Sequence, residues 1–249
     1  MKIDLVIPVL NEEVQLEASV RRLLAPGIAG WPETVQIIIV DNGSTDGTAE
    51  IAGRLAAEIP AVSHLRLEGR GRGRALKTSW LRSEADVLAY MDVDLSTGLE
   101  AFPKMIVPLI EGRADLAIGC RLHPQARVIR GWKREFISRS YNRLAQGMTG
   151  TRVRDLQCGF KAITRPAVRR LLTLVEDTGW FFDTELLLLA EHFGFRIHEQ
   201  PVTWTDDPDS RVRFCRTAWE DWKGLLRMRR SLRRGQLGLA ANLQSNPIP

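Results

Sequence analysis

Along the first hundred residues, short continuous apolar runs alternate with segments whose apolar side chains recur every three or four positions. The runs predict buried strands, and the segments predict amphipathic helices. The strands cover 2–9, 35–40, 62–67 and 87–91, and the helices cover 12–24, 48–59 and 74–84. Strands and helices that alternate at this spacing are typical of an α/β fold with a doubly wound, mostly parallel sheet. Ligands of such folds bind beyond the carboxyl ends of the strands.

The second half of the chain has a less regular pattern. It predicts helices at 101–111, 136–148, 166–175, 182–192 and 218–234, and strands at 116–119, 159–163 and 197–204. We expect a single domain over 1–235. The tail at 236–249 has neither charge nor periodicity, so we expect it to be disordered.

The last predicted helix, 218–234, is amphipathic and basic. Trp219 and Trp222 lie three residues apart on it, and its second half carries five arginines. A helix of this kind suits the surface of an anionic membrane. A second interpretation stays open, in which both tryptophans pack against the core and the arginines are solvated.

Charge is unevenly distributed along the chain. Residues 1–110 carry 11 Lys and Arg against 15 Asp and Glu, whereas residues 111–249 carry 24 against 15. This split predicts cation binding in the first half and anion binding in the second. The apolar runs are far shorter than the ~20 residues of a membrane span, and the first strand begins almost at the N-terminus, so we expect neither a signal peptide nor an anchor. Three scattered cysteines suit neither a disulfide framework nor a zinc site, which indicates a reducing, cytoplasmic setting.

Two acidic side chains follow the fourth predicted strand. Asp92 and Asp94 are separated by one residue, so both carboxylates can face one cation. Hard oxygen ligands of this kind suit Mg²⁺ or Mn²⁺, with a diphosphate completing the shell. A lone Asp-x-Asp is more often an ordinary polar loop, but the position at a strand end favours a metal site.

Three further loops lie at strand ends or helix starts. Residues 41–48 combine acids, an amide and glycines, which fits a nucleotide pocket and also fits an ordinary strand–turn–helix connection. Residues 8–13 admit the same two interpretations. Residues 69–77 place glycines among arginines at a helix start, which indicates an anion site built from backbone N–H groups and the helix dipole.

In this order and spacing, the four loops resemble those of the inverting glycosyltransferases of the GT-A fold, whose Rossmann-like nucleotide-sugar domain has helices on both faces of the sheet. Three later segments extend the resemblance over about residues 3–230. They are similar to the dolichyl-phosphate β-glucosyltransferases and, more loosely, to the dolichyl-phosphate mannose synthases. The segments are Arg154–Lys161, Trp180–Leu187, and Val202–Thr205 with Ser210–Val212.

The resemblance implies roles for individual residues. The nucleotide sugar would be bound by Pro8, Asn11, Glu13, Asp41, Gly43, Ser44, Arg72 and Lys77. The resemblance assigns the nucleotide and the metal to Asp92 and Asp94. The residues themselves extend the expected catalytic group to Asp155, Asp183 and Glu185. Asp183 and Glu185 could position the sugar hydroxyls, serve as a base or orient Arg or Lys side chains. For Glu185 and Asp155 we favour substrate positioning or a network role, and purely structural ion pairing stays open. The acceptor phosphate would be bound by Arg121, Lys133, Arg134, Ser138 and Arg139. Where the mannose synthases have a metal-binding glutamine, this chain has Ser96, so water would complete the metal shell.

The implied activity is the transfer of a hexose from a UDP- or GDP-sugar to a polyprenyl phosphate, with glucose favoured and mannose second. A phosphomonoester is largely ionised at neutral pH, so catalysis would rely on positioning and electrostatics without a strictly required general base. Residues 121–170 hold 13 Lys and Arg against two acids, as binding of an anionic acceptor requires. Residues 1–110 would form the nucleotide-sugar half and 111–235 the acceptor half. The expected partners are the nucleotide sugar, the lipid phosphate and an anionic membrane surface, with the protein in the cytoplasm or peripheral on the inner face of the cytoplasmic membrane.

Three alternatives remain. The same donor chemistry can serve a soluble acceptor, which the absence of an expected anchor favours and the 154–161 segment opposes. A nucleic-acid-binding protein would suit the basic second half, but the acidic strand ends would repel phosphate. A nucleotide-sugar sensor without catalysis is disfavoured because Asp92 and Asp94 are both present.

Overall fold

The computed structural model describes residues 1–25, 35–205 and 214–233, and within them it has nine strands and eight helices. The strands are β1 (Ile3–Val9), β2 (Val35–Asp41), β3 (Val62–Arg66), β4 (Val87–Met91), β5 (Leu116–Cys120), β6 (Arg127–Ile129), β7 (Phe160–Thr164), β8 (Ile197–Pro201) and β9 (Thr203–Thr205). The helices are α1 (Leu16–Leu23), α2 (Thr48–Glu58), α3 (Arg72–Arg82), α4 (Ala101–Ile110), α5 (Trp132–Thr149), α6 (Arg165–Leu171), α7 (Phe182–His192) and α8 (Phe214–Arg233).

Seven strands form one sheet in the order β3-β2-β1-β4-β7-β5-β8. All neighbouring pairs are parallel except those of β7, which runs antiparallel to both β4 and β5. The expectation of a mostly parallel α/β sheet is confirmed. Strands from both sides of residue 110 join this sheet, while β6 and β9 form a separate parallel pair.

The reversed strand β7 decides what lies beside the end of β4. Met91 pairs with Phe160, so the residues before β7 meet the residues after β4 at one edge of the sheet. The backbone N–H of Asp92 donates to the carbonyl oxygen of Gly159 at 3.2 Å. The segment after β4 and the segment before β7, which are far apart in the sequence, therefore lie side by side at this edge of the sheet.

Alternating side chains of the strands supply two hydrophobic clusters, one on each face of the sheet. In β4, Val87, Ala89 and Met91 point into the cluster that α1, α2 and α4 cover, whereas Leu88 and Tyr90 point into the other. The second cluster is covered by α3, α6, α7 and the buried side of α8. A strand buried on both faces needs the continuous apolar runs from which the sequence predicted it.

The structure differs locally from the sequence-based expectation at three places. Helix α1 begins at Leu16 and not at 12, because Asn11 has φ of 58° and the residues after it form a turn. The predicted strand 197–204 is divided at Val202 into β8 and β9. Helix α5 begins at Trp132, four residues earlier than expected. The expected tail at 236–249 and the Ser210–Val212 motif lie outside the described residues.

Among the helices of the described ranges, none is both long enough and apolar enough to cross a bilayer.

Candidate active site

Asp92 and Asp94 lie in the turn that follows β4, where both line one small cleft. The cleft is also lined by Ser96, Thr97, Gly159 and Trp204. The backbone N–H of Ser96 donates to Asp94 Oδ1 at 3.0 Å, and Leu95 between them has φ of 49°. A non-glycine residue in the left-handed region is uncommon and marks a turn held by its surroundings. The turn therefore fixes both carboxylates at the edge of the sheet.

Arg72, at the start of α3, is the charged partner of Asp92. Its Nη2 lies 2.8 Å from Asp92 Oδ1, and its Nη1 lies 3.7 Å from Asp183 Oδ2. The guanidinium is sandwiched between the rings of Tyr90 and Trp180, at 5.1 and 5.0 Å from their centroids. Burial raises the pKa of Asp92 to about 6, although Arg72 acts in the opposite direction. The arrangement keeps a buried cation beside two carboxylates.

Asp183, in the first turn of α7, completes this buried network. It accepts a hydrogen bond from the Tyr90 hydroxyl, and Lys161 Nζ lies 3.1 Å from its Oδ1. Lys161 is directly opposite Tyr90 in the β4–β7 register, and it also donates to the Cys158 carbonyl at 2.5 Å. Tyr90, Lys161 and Trp180 are members of the site to which the sequence motifs assigned no role. A lysine inside the apolar strand Phe160–Thr164 is the signal that could identify Lys161, since an unpaired charge is costly there.

Gly159 makes room for the contact between Arg72 and Asp92. A Cβ atom at this position would lie 1.8 Å from Asp92 Oδ2 and 2.7 Å from Arg72 Nη2. Both distances are far shorter than van der Waals contact, so the ion pair can have this geometry only because position 159 is a glycine. The Gln-Cys-Gly-Phe-Lys segment thus has a structural reason for its glycine.

The candidate nucleotide pocket is built around Asp41, which ends β2 and is fully buried. Asp41 Oδ1 accepts the backbone N–H of Ser44 at 2.9 Å, whereas Oδ2 is buried without a hydrogen-bond partner among the described residues. Arg66 Nη1 lies 3.7 Å from Oδ2. Gly43 has φ of +76°, and a Cβ there would lie 3.2 Å from the Gly69 nitrogen. The loop therefore packs closely around a buried acceptor oxygen that lacks a hydrogen bond among the described residues, which calls for an explanation.

Asn11 and Glu13 tie the loop after β1 to the loop after β2. Asn11 Oδ1 accepts the backbone N–H of Thr45 at 2.9 Å, and Glu13 Oε2 accepts that of Gly47 at 2.7 Å. In return, the backbone N–H of Asn11 donates to Ser44 Oγ at 2.9 Å. These bonds bring the predicted residues of the two loops together at one edge, next to the strand pair that contains Pro8.

Lys77 is placed differently from the other predicted donor-binding residues. It lies in the second turn of α3, and its ammonium donates to the Val175 carbonyl at 2.6 Å. The structure brings Arg72, and not Lys77, into contact with Asp92 and Asp183.

Asp155 and Arg121 form a buried salt bridge beside the cleft. Arg121 donates to the carboxylate from its backbone nitrogen, its Nε and its Nη2, at 3.0, 2.7 and 2.8 Å. Burial alone would raise the pKa of Asp155, but Arg121 lowers it below its usual range. The guanidinium stacks 4.9 Å from the centroid of Trp204, which lines the cleft with Asp92. Asp155 therefore holds the Arg121 guanidinium against Trp204, one of the residues that line the cleft.

Glu185, two residues after Asp183 on α7, bonds away from the Arg72 cluster. It accepts the backbone N–H groups of Asp177 and Glu176 at 2.7 and 3.2 Å, and its other oxygen pairs with Arg227 of α8. Burial raises the pKa of Glu185 despite these donors. Its contacts are those of a residue that holds a loop.

The remaining predicted acceptor residues lie on α5. Ser138 is buried, and its hydroxyl has no hydrogen-bond partner within the described ranges. Lys133 and Arg139 are exposed, and Arg139 pairs with Glu135 one turn before it.

The described residues contain no group of three or more His, Cys, Asp or Glu side chains that could hold a metal ion. Asp92 and Asp94 supply two hard carboxylate ligands at one cleft, which suits Mg²⁺ or Mn²⁺ only if a diphosphate and water complete the shell. The donor set therefore fits an ion that binds together with a nucleotide.

A comparison with protein-family models finds a match over residues 4–172 to the model described as Glycosyl transferase family 2. The chain belongs to this family. It is 36% identical over 218 residues to Glycosyltransferase AglD of Haloferax volcanii, a match that covers 87% of this chain and 35% of AglD. The chain thus spans about a third of the length of that relative.

Two further relatives of this family 2 chain are covered over most of their length. A dolichyl-phosphate β-glucosyltransferase of Drosophila melanogaster is 32% identical, with coverage of 85% of this chain and 69% of the relative. A polyprenol monophosphomannose synthase of Mycolicibacterium smegmatis is 31% identical, with coverage of 81% and 76%. The resemblance to the dolichyl-phosphate branch that the sequence motifs indicated is confirmed.

Solved structures support the fold. Glucosyl-3-phosphoglycerate synthase of Mycobacterium tuberculosis, in complex with Mn²⁺, UDP-glucose and phosphoglyceric acid, superposes with a TM-score of 0.67 at 20% identity. The match covers 92% of this chain and 79% of that one. The GT-A architecture expected from the sequence is confirmed.

Proposed function

We propose that this chain transfers a hexose, with glucose favoured and mannose second, from a nucleotide diphosphate sugar to a polyprenyl phosphate, with inversion at the sugar. The observation that carries the proposal is the buried pairing of Arg72 with Asp92 and Asp183 at the end of β4. Family membership supports the reaction class, and the names of the dolichyl-phosphate and polyprenol relatives support the lipid phosphate.

In this proposal the donor is oriented by the loops after β1 and β2. The buried Oδ2 of Asp41 accepts a donor N–H or O–H of the base or ribose, and its burial strengthens that hydrogen bond. The bonds of Asn11 and Glu13 to the second loop keep Asp41 and Ser44 in place. Orientation by a rigid pocket lowers the entropy that the reaction must lose in the transition state.

Departure of the nucleoside diphosphate places negative charge at the edge of the sheet. Arg72 is already held there by Asp92 and by the rings of Tyr90 and Trp180, so it can stabilise that charge without reorganisation. Asp92 and Asp94 would hold Mg²⁺ or Mn²⁺, which supplies Lewis-acid neutralisation of the same charge when bound. The metal requirement is part of the proposal.

The acceptor oxygen of a phosphomonoester is ionised at neutral pH, so none of the carboxylates has to act as a strict base. Arg121, held by Asp155 beside the cleft, is placed to attract the acceptor phosphate, and the Ser138 hydroxyl can donate to it. Asp183 pairs with Lys161 and Arg72. In this proposal these contacts hold Tyr90 and Arg72 in place where the cleft takes the sugar. Glu185 acts as a positioning residue.

A soluble phosphorylated acceptor is the second candidate. Lys133 and Arg139 are exposed to solvent, so they suit a small anion as well as a lipid headgroup. The two candidates differ in the molecule that carries the acceptor phosphate, which is a lipid in the first and a soluble compound in the second.

The test incubates the protein with UDP- and GDP-hexoses, Mg²⁺ or Mn²⁺, and either a short polyprenyl phosphate or a soluble phosphorylated acceptor. We expect a glycosylated polyprenyl phosphate by mass spectrometry, and no product with Asp94→Asn or with EDTA. Product only from soluble acceptors would favour the second candidate, and full activity of Asp94→Asn would contradict the metal site.

The exposed residues of helix α8 are relevant to the expected binding to a membrane. Trp219 and Trp222 are exposed, whereas Leu225 and Met228 on the adjoining face of the helix are buried in the core. This placement favours the membrane-surface interpretation of α8 over the one in which its tryptophans pack inside. We include peripheral binding to an anionic membrane in the proposal.

A further inference from the structure

Large apolar side chains are exposed on β6 and on the first two turns of α5. Ile129 of β6 is 69% exposed, and Trp132 and Phe136 of α5 are 76% and 68% exposed. Trp132 and Phe136 are four residues apart, so they lie one above the other on the same side of the helix. Ile137 is also exposed beside them. We call these four residues the apolar strip; the described part of the chain leaves each of them exposed.

The opposite side of α5 anchors the helix to the protein. Ser138, Asn142 and Ala145 are buried, and Asn142 Oδ1 accepts the backbone N–H of Leu156 at 2.9 Å. The orientation of α5 is therefore set by its packing, and the aromatic strip points outwards.

Cations are mixed with the strip. Residues 127–143 contain six Lys and Arg and one acid, Glu135. That acid is already paired with Arg130 and Arg139. Lys133 Nζ lies 5.6 Å from the ring centroid of Trp132, so an ammonium borders the most exposed aromatic ring of the strip. The face as a whole is both apolar and positively charged.

We propose that this face docks on an anionic lipid bilayer. We name it the α5 surface and define it by Ile129, Trp132, Lys133, Phe136, Ile137 and Arg139. On such a bilayer the aromatic rings can enter the headgroup region while the cations bind lipid phosphates. This binding mode accounts for both the apolar and the positively charged character of the face. The strip is therefore a docking surface that the sequence-based assignment to α8 did not include.

A bilayer fits this face better than a protein partner does. A protein groove that covered the aromatic rings would also remove Lys133 and the exposed guanidinium of Arg139 from water, which is costly unless acids face each of them. A bilayer interface leaves the cations hydrated beside anionic headgroups. Helix α5 also packs against α8, so the exposed tryptophans of α8 belong to the neighbouring element.

The inference rests on the proposed function only in that a polyprenyl acceptor is reached at a membrane, and the test separates the two. Vesicles of phosphatidylglycerol and phosphatidylcholine, free of polyprenyl phosphate and of nucleotide sugar, are sedimented with the protein at low and high salt. The variant Trp132→Ala/Phe136→Ala is compared with Val14→Ala/Leu81→Ala, which removes exposed apolar side chains from α3 and the turn before α1.

We expect wild type and the Val14/Leu81 variant to bind vesicles at low salt and to be released at high salt. The Trp132/Phe136 variant should lose roughly tenfold or more in partitioning, because burial of two aromatic rings is lost. Lipids brominated near the headgroup should quench tryptophan fluorescence less in this variant. Its turnover of a short water-soluble acceptor should be unchanged, which also excludes misfolding.

Equal vesicle binding by wild type and the Trp132/Phe136 variant would overturn the proposal. So would a wild-type dimer that the double substitution dissociates, with no binding to vesicles, because the occupant would then be a second copy of the chain. If vesicle binding behaves as expected but no polyprenyl phosphate is ever glycosylated, the docking surface stands and the proposed function fails.

Discussion

Arg227 of α8 lies with its Nη2 2.9 Å from Glu185 Oε1 of α7. The Glu185 carboxylate also accepts the backbone N–H of Asp177 at 2.7 Å. The next residue, Thr178, accepts the backbone N–H of Arg74 at 3.0 Å through its carbonyl oxygen. Since Arg72 begins the same helix as Arg74, the ion pair between α7 and α8 supports the loop that contacts the start of this helix.

Replacement of Arg227 by alanine should destabilise the protein and impair donor use. Glu185 would remain buried without its partner, and because Arg227 is itself 32% exposed, we expect a loss of about 1–3 kcal/mol in the free energy of unfolding. Urea unfolding measures the loss, with Arg230→Ala on the same helix as control. Glu185→Gln in the Arg227→Ala background should recover part of it. A double-mutant cycle without coupling would show that the pair is only a surface contact.

Replacement of Gly159 by alanine should abolish most of the activity without unfolding the sheet. The added methyl group would have to displace Asp92 or Arg72, since it would lie 1.8 Å from Asp92 Oδ2. We expect a fall in kcat/KM of roughly 100-fold or more, as for other displacements of charged groups in active sites. Gly147→Ala on α5, where a Cβ meets open space, is the matched control. Comparable activity of the two variants would contradict the geometry.

Replacement of Asp41 by asparagine tests the nucleotide pocket. The buried Oδ2 accepts no hydrogen bond from the part of the chain that the structure describes, so it remains available to a ligand donor. A hydrogen bond to a charged group contributes about 1.5–3 kcal/mol, and loss of it should raise the KM for the donor at least roughly tenfold with little change in kcat. Calorimetry with UDP and GDP measures the same loss in Kd. If the nucleotide affinity is unaltered, the nucleotide does not bind through Asp41.

Asp221 of α8 should make stability depend on pH. It accepts a hydrogen bond from Gln157 Nε2 at 2.8 Å, while its other carboxylate oxygen is buried and accepts none from the described residues. Burial raises its pKa to about 7 despite Gln157, and Asp177, Glu220 and Asp183 add to the rise. The folded chain thus binds the proton more tightly than the unfolded chain does, so stability falls as pH rises towards 7.

Asp221→Asn should remove this penalty. At pH 8 the variant should melt at a temperature higher by roughly 2–4 °C for each kcal/mol recovered, and the difference should vanish near pH 4. Differential scanning calorimetry between pH 4 and 8 measures both ends. Glu50→Gln, at an exposed position on α2 that does not contribute to the pKa of Asp221, serves as the control. A constant difference at all pH values would mean that Asp221 is not the group responsible.

The sheet, and the edge at which Asp41 and Asp92 lie, could be predicted because their signals are local. Continuous apolar runs mark β1, β2 and β4, and in a parallel sheet the loops that follow such strands must meet at one edge. The positions of Asp41 and Asp92 at this edge follow from the sequence alone. Their exact partners do not, since Arg66 and Arg72 reach them only through the tertiary fold.

Other parts of the site depend on pairings that periodicity does not encode. The reversed direction of β7 puts Lys161 opposite Tyr90, and nothing within either strand indicates that register. The three-residue strands β6 and β9 are too short and too exposed to show an alternating pattern. The sequence left Glu185 open between substrate positioning and a structural ion pair, and only the tertiary fold shows that its oxygens are engaged by a loop and by Arg227 of α8.

The antiparallel placement of β7 also has a consequence for the segment that precedes it. Strand β5 ends at Cys120 and β7 begins at Phe160 beside it, so the chain between them leaves the sheet and returns to it at the same edge. Three hydrogen bonds between Arg121 and Asp155 close the neck of this excursion. The segment between Arg121 and Asp155 is thus fastened at its base independently of its own length. We expect an insertion in its exposed turns to leave the carboxylates at the end of β4 in place, since none of the contacts that hold Asp92 in the described part of the chain comes from those turns.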